Sequence, residues 1–376
     1  MGRVTRRDLL KTAAGVGTVA LRGSARAQGS ARPVRVAAVQ MHAALGEVAA
    51  NLENAEHWVR LAIREGAQWI VLPEFFTTAI ALHPTKLVNA YRTLEGLPMQ
   101  LLKTLAKEGN AHVSGSFLAR SGADVFNTFV LASPDGRVYT HDKDFPTTNI
   151  ETSVYAGGED DEFVKELTRR GVTPDPAAPI PSRPGNVKSA VFALPDGISA
   201  GAALCWEQCR YRTARRLSGK VDLVLAASGW PFVAPDGGIS RSNQAEGHDG
   251  LGAGAGIREA PRRLARLTGA PVVHASLVGD VWNLPPNGPS VVLRFSGESQ
   301  IADASGRTLA RRGYAEGEGL VIAEIEIGRV PPSESIPDDV TAWTPEVAAQ
   351  AQTGWATSGA VGRAVYVKTT RPRRNG

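Results

Sequence analysis

One residue, Cys205, stands where the chain could do nucleophilic chemistry. Cys205 closes the apolar run Gly201–Leu204 and precedes a helix expected from about Glu207 to Leu217. At a helix start, exposed N–H groups and the helix dipole favour thiolate over thiol. The same place suits a small buried hydrophobe with no chemical role. Cys209, four residues on, reads as such a hydrophobe, and its spacing leaves a redox pair with Cys205 open. Glu74 lies in Trp69–Phe76, WIVLPEFF, at the mouth of an apolar strand that ends at Pro73. A carboxyl among aromatics is expected to have a raised pKa, as a general base near neutrality requires. A Glu capping the next element is the plainer reading. His141–Gly158 reads HDKDFPTTNIETSVYAGG, with Lys143 at a strand end and Glu151 eight residues later. By themselves these two read as solvated charges.

Other chemistries leave weaker traces. The seven His (42, 57, 83, 112, 141, 248 and 274) are scattered, with no H-E-x-x-H or C-x-x-C pattern, so no metal is expected. Gly250–Ala255 fits a relaxed G-x-G-x-x-A, but polar residues precede it where a dinucleotide site needs a strand. Gly197-Ile198-Ser199-Ala200-Gly201 satisfies G-x-S-x-G. A serine elbow needs a strand before the Ser and a helix after it. Here a Pro-Asp-Gly turn precedes and an apolar strand follows.

The elements that must position these groups follow from apolar spacing. Val34–Val39, Trp69–Leu72, His112–Leu118, Asn127–Ala132, Val191–Leu194, Gly201–Leu204, Val221–Ala226, Val272–His274, Val291–Phe295 and Leu320–Ile327 read as strands. Leu52–Ile63, Pro98–Lys107 and Arg258–Thr268 carry helical spacing. Residues 156–187 are rich in Pro and Gly and form a surface insertion. Gly237–Gly256 reads as a loop, and the last fifty or so residues as a poorly packed tail. Strands alternate with helices early and form hairpins later, which predicts one layered α/β catalytic domain.

The formal charge of +5 in 376 residues sits at the start. Residues 1–27 hold six basic side chains against one acidic, leaving the rest of the chain neutral. A neutral body gives no footprint for nucleic acid. Thr5-Arg6-Arg7-Asp8-Leu9-Leu10-Lys11, the apolar stretch Ala13–Leu21 and the cleavage box Ala25-Arg26-Ala27 predict a twin-arginine export signal over 1–27. A short leader, 28–33, would follow. No later run approaches the roughly eighteen apolar residues of a membrane span. The expected destination is the periplasm or the exterior, without membrane insertion after processing.

Taken in order, these segments resemble the carbon–nitrogen hydrolase (nitrilase) superfamily. Val36-Ala37-Ala38-Val39-Gln40 resembles its first strand and Pro73-Glu74-Phe75 its glutamate motif. Lys143, with Pro146 and Glu151, resembles its lysine segment, and Cys205-Trp206-Glu207 its nucleophile segment in the form of the nitrilase branch. Ala275–Gly279 and Ser299–Gly306 resemble its later strands. The likeness covers about residues 34–328, with 329–376 as a C-terminal extension. Asp142 and Asp144 beside Lys143, and the lack of a Pro in Gln208–Thr213, depart from the pattern.

The resemblance implies a four-layer α-β-β-α sandwich and a Glu74–Lys143–Cys205 triad, with Glu151 orienting Lys143 or a water. It implies hydrolysis of an amide or nitrile through a Cys thioester, with no cofactor. The Trp206 N–H would help hold the oxyanion, and Trp206, Trp230, Phe232 and Trp282 are candidate pocket walls. Arg210, Arg212, Arg215 and Arg216 read as a solvated or subunit-contacting face, and a homo-oligomer is expected. An N-acyltransferase on the same fold, or an exported binding protein without activity, are the alternatives.

Overall fold

Val36 and Ala38 face one core while Ala37, Val39 and Met41 face another. A strand covered on both sides has no polar face to show, so its sequence is an unbroken apolar run. This strand, β1 (Pro33–Met41), is the hub of the molecule. The computed structural model describes residues 33–81, 84–146, 148–157, 190–233, 253–283, 291–338 and 358–371. All belong to one unit, Arg32–Gly376. The proposed export signal, the leader before Pro33, most of the 156–187 insertion and most of the Gly-rich loop lie outside the described residues.

β1 pairs in parallel with β2 (Trp69–Val71), and β2 with β4 (His112–Ser121). A short β3 (Arg92–Thr93) joins the far end of β4. Antiparallel β5 (Asp124–Ala132) and β6 (Val138–Asp142) extend this sheet, and β15 (Gly319–Glu326) closes it on the other side of β1. The second sheet runs β7 (Val191–Ala193), β8 (Ser199–Leu204), β9 (Leu223–Ser228), β11 (Val272–Asn283), β13 (Ser299–Ala302) and β14 (Thr308–Arg312). The sheets join where Gln40 and Met41 of β1 meet Ser276 and Leu277 of β11. Beyond that junction β11 continues into a ribbon with β12 (Val291–Ser296) and β10 (Pro231–Val233).

Helices cover both outer faces. Ala55, Val59 and Ala62 of α1 (Val48–Arg64) and Leu102 and Leu105 of α2 (Leu97–Gly109) pack on the first sheet. Ala214 and Leu217 of α4 (Tyr211–Leu217) and Leu264 and Leu267 of α5 (Ala253–Thr268) pack with the second. Between the sheets, Phe129 of β5 stacks on Phe192 of β7 at 6.4 Å. The result is the expected α-β-β-α sandwich. Each fully buried Val, Leu or Phe contributes about 1.5–3 kcal/mol.

Three expectations need correction. The helix foreseen over 207–217 is broken at Arg210 into a five-residue 3₁₀ turn, Cys205–Cys209, and α4. Arg212 and Arg216 do not form a solvated face: their side chains turn inward and pair with buried Asp144 at 2.8 and 2.9 Å. Arg210 and Arg212 lie over the Phe145 ring. Finally, residues 358–371 are not a loose tail. They form a helix ending in a π-helical turn, Tyr366–Thr370. Tyr366 is fully buried, donates to Asp124 Oδ1 and accepts from the Val125 N–H, both at 3.0 Å.

Candidate active site

The strand ends deliver the candidate groups. β2 stops at Val71, and Leu72-Pro73 lead to Glu74, because Pro cannot continue a ladder. Phe75 then takes a left-handed φ of 55°, which turns the chain away from the sheet. The turn sits close to β4. A Cβ on Gly115 would come within 2.8 Å of the Leu72 Cβ, so only glycine allows this approach. Lys143 follows the last residue of β6, its N–H donating to the Asn127 carbonyl at 2.9 Å. Glu151 rides on α3 (Thr148–Thr152). Cys205 follows β8 and opens the 3₁₀ turn with a φ of 47°.

These four side chains meet in the interior. Lys143 Nζ donates to Glu74 Oε1 at 3.0 Å and to Glu151 Oε1 at 2.7 Å. The Cys205 sulfur and one carboxylate oxygen from each glutamate all lie within 4.8 Å of one another. Cys205, Glu74 and Lys143 are completely buried, and Glu151 nearly so. The Asn127 amide donates to Glu74 Oε1 at 2.7 Å, and the Gly229 N–H to Glu74 Oε2 at 2.8 Å. Two carboxylates and a thiol could in principle hold a metal ion. Here the Lys143 ammonium supplies the positive charge between the carboxylates.

The electrostatics follow from this arrangement. Burial raises the Glu74 carboxyl above its usual range, although Lys143 pulls it back. Burial alone would lower Lys143, but Glu151 and then Glu74 outweigh it and hold the ammonium charged well above its usual range. Burial, then the charge of Glu74, push the Cys205 thiol well up, Lys143 only partly opposing them. That reverses the expectation of a helix-stabilised thiolate. The turn after Cys205 is too short to supply a dipole, and two carboxylates face the sulfur. Burial and the neighbouring carboxyl groups thus favour the thiol over the thiolate at Cys205.

Of the proposed walls, Trp206 and Trp230 have ring centroids 4.0 Å apart, and Trp230 is buried beside Cys205 and Cys209. Trp282 is exposed, so it is not a wall formed by the described residues, and the Phe232 side chain lies outside them. Ser199 opens β8, the strand whose last residue precedes Cys205, which places it roughly 20 Å away at the opposite end. It is no elbow. An open cleft of about 430 Å³ lined by Arg258, Glu259, Arg262, Gln300, Thr308 and Arg311 contains none of the four clustered residues.

Sequence reasoning missed Asn127 and Gly229. Asn127 had a usable signal, being the one amide in the strand sequence DVFNTFVLA. Gly229 had none. A Cβ there would approach the Phe75 ring to 3.0 Å and the Glu74 carbonyl oxygen to 3.3 Å.

The α-β-β-α fold agrees with what similarity to known proteins shows. The carbon–nitrogen hydrolase family profile matches residues 35–332, and the chain belongs to that family. It is a carbon–nitrogen hydrolase enzyme. Nitrilase 3 of Arabidopsis thaliana is 24% identical over 317 residues, covering 79% of this chain and 80% of the relative. A nitrilase of Pyrococcus abyssi is 30% identical over 105 residues, covering 27% of this chain and 40% of the relative. Among solved structures, a mutant amidase from Nesterenkonia sp. AN1, with an acetamide moiety on its active-site cysteine, superposes with a TM-score of 0.55. It is 17% identical and covers 83% of this chain and 95% of the amidase, a likeness of fold.

Proposed function

We propose that this enzyme converts a small amide or nitrile to the carboxylic acid and ammonia, using Cys205 as nucleophile, Glu74 as general base, Lys143 as electrostatic stabiliser and Glu151 to orient Lys143. The observation that carries this reading is the buried cluster: Lys143 Nζ bridges Glu74 and Glu151 at 3.0 and 2.7 Å, with the Cys205 sulfur beside both carboxylates.

Glu74 takes the thiol proton as sulfur adds to the amide carbon, so charge develops on oxygen rather than resting on sulfur. Lys143 and the Trp206 N–H stabilise that oxyanion with donors already fixed in place before the reaction. The C–N bond breaks as Glu74 returns its proton to the leaving nitrogen, and a thioester remains. Glu74 then takes a proton from water as its oxygen adds to the thioester carbon. The C–S bond breaks, the acid leaves and the sulfur recovers its proton. With a nitrile, sulfur adds to the nitrile carbon, a first water converts the thioimidate to the same thioester with release of ammonia, and a second completes hydrolysis. The nitrilase relatives support the nitrile and the amidase neighbours the amide.

Ammonia release from a panel of aliphatic and aromatic amides and nitriles tests this. The native protein is expected to release ammonia, Cys205→Ala to release none and Ser199→Ala to match the native rate. Release by Cys205→Ala would end the reading.

The twin-arginine pattern supports a further part of the proposal, export with removal of residues 1–27. The periplasmic or secreted protein is then expected to begin at Gln28, which N-terminal sequencing decides. Assembly as a homo-oligomer is proposed from the family likeness alone, and light scattering on the purified protein tests it. No described helix is long and apolar enough to cross a membrane.

A further inference from the structure

Glu207 follows the proposed nucleophile by two residues and is almost wholly buried, yet the chemistry above gives it no task. Its two oxygens are fully engaged. Oε2 accepts the Leu204 N–H at 2.8 Å, and Oε1 accepts the Asp144 N–H at 2.8 Å. His141 Nε2 lies 3.0 and 3.1 Å from the two oxygens. Leu204 immediately precedes Cys205, and Asp144 immediately follows Lys143. One carboxylate therefore grips the backbone beside both proposed catalytic groups, across the gap between the two sheets.

The pairing is ionic on the carboxylate side. Burial would raise Glu207, but His141 and then Arg216 and the Asp144 N–H hold it well below the usual range. An ionised carboxylate only accepts, so His141 Nε2 carries the hydrogen it shares with Glu207. Around the pair, the Asp144 carboxylate accepts from Arg212 at 2.8 Å and from Arg216 at 2.9 and 3.0 Å. His141, Asp144 and Glu207 could also hold a metal by proximity. Their oxygens are instead taken by two backbone N–H groups, an imidazole and two guanidiniums.

We propose that Glu207 and His141 are positioning residues, a buried clamp that sets the separation of Lys143 from Cys205 and holds Cys205 in its left-handed conformation. The proposal rests on the assignment of Cys205 and Lys143 above. A non-glycine residue at a φ of 47° persists only where its surroundings over-determine it, and Glu207 supplies the tie one residue upstream. His141 fixes the carboxylate so that both N–H groups are met at once. An apolar pair of the same volume would fill the space and leave both N–H groups unmet.

The test uses the purified full chain with His141→Ala, His141→Gln and Glu207→Gln. Turnover is counted per Cys205 titrated, and the rate of Cys205 alkylation by iodoacetamide is followed by mass spectrometry beside the melting temperature. His141→Ala is expected to lower kcat by about 10- to 100-fold with KM nearly unchanged, as misplacement of reacting groups does. Alkylation should slow in parallel. His141→Gln, which keeps a donor for Glu207, should recover most of both rates. Glu207→Gln should lose more, because its amide N–H₂ would face a backbone N–H. A native kcat and alkylation rate in His141→Ala overturns the clamp, as does a His141→Gln no better than His141→Ala. A lowered melting temperature with native turnover per titrated thiol also overturns it, since the pair would then serve folding alone. If Glu207→Gln does not fold, the two His141 variants decide. If the native chain hydrolyses no amide or nitrile, the catalytic assignment fails by itself, and the alkylation rates still judge the clamp.

Discussion

The Gly229 N–H reaches Glu74 Oε2 at 2.8 Å from 155 positions further along the chain. The end of β9 in one sheet thereby orients a carboxylate set at the end of β2 in the other. Gly229→Ala tests that contact. The added Cβ would crowd the Phe75 ring and the Glu74 carbonyl, so the donor must retreat. A kcat at least about tenfold lower is expected, with a stability loss of about 1–3 kcal/mol from overpacking. Steady-state kinetics and urea unfolding on the same preparation measure both. An unchanged kcat would remove Gly229 from the account.

As the proposed general base, Glu74 must be ionised to accept a proton, and burial lifts it above its ordinary 4.5. Activity is therefore expected to rise with pH along a limb lying above 4.5. Lys143 stays charged beyond its ordinary 10.5, so it sets no falling limb below that pH. Asn127→Ala removes a donor to the charged form of Glu74 and moves the acid limb to higher pH. The kcat/KM profile of the two proteins checks this, and a limb that stays put or moves down would contradict it.

His274 is wholly buried against Ser228, and burial lowers it to about 4 from 6.5. Below about pH 6.5 the unfolded chain takes up a proton that the folded one refuses until about pH 4. The His274 contribution is thus complete above pH 6.5 and is lost as pH falls through that window. The slope is about 1.4 kcal/mol per unit, or roughly 3 kcal/mol in all. His274→Gln keeps a hydrogen-bonding group for Ser228 and should flatten the slope between pH 7 and pH 5 in urea unfolding. Parallel pH dependences would assign the acid sensitivity elsewhere.

Tyr366 ties the C-terminal segment to the start of β5 through Asp124 and Val125. Nearby, Thr370 donates to the Ser153 carbonyl, two residues beyond Glu151. Tyr366→Phe leaves a buried N–H unpaired and should cost about 1–3 kcal/mol. Thermal unfolding measures it, and an unshifted melt would mean that the hydroxyl contributes nothing.

What the sequence revealed was local. WIVLPEFF announces a buried strand and its abrupt end, and Gly201–Leu204 does the same before Cys205, because strand, break and polar residue are adjacent. The helix over 207–217 was misread because Arg210 takes an extended backbone, φ −102° and ψ 128°, that no Gly or Pro in the local sequence marks. The arginines of α4 were misread because their partner, Asp144, lies about seventy residues earlier. The C-terminal segment was underestimated because its packing rests on one aromatic, Tyr366 against Phe126 and Ala156, and on two hydroxyls rather than on an apolar stripe. Asn127 and Gly229 act on Glu74 across strands, and no spacing rule connects them.

The left-handed backbone at Cys205 sets folding and chemistry against each other. A side chain at a φ of 47° adds strain of roughly 1–2 kcal/mol that glycine would escape. Cys205→Gly should therefore melt higher than Cys205→Ala, although both lack the sulfur. The proposed nucleophile therefore sits where any side chain, its own included, carries a backbone cost that its buried packing must offset.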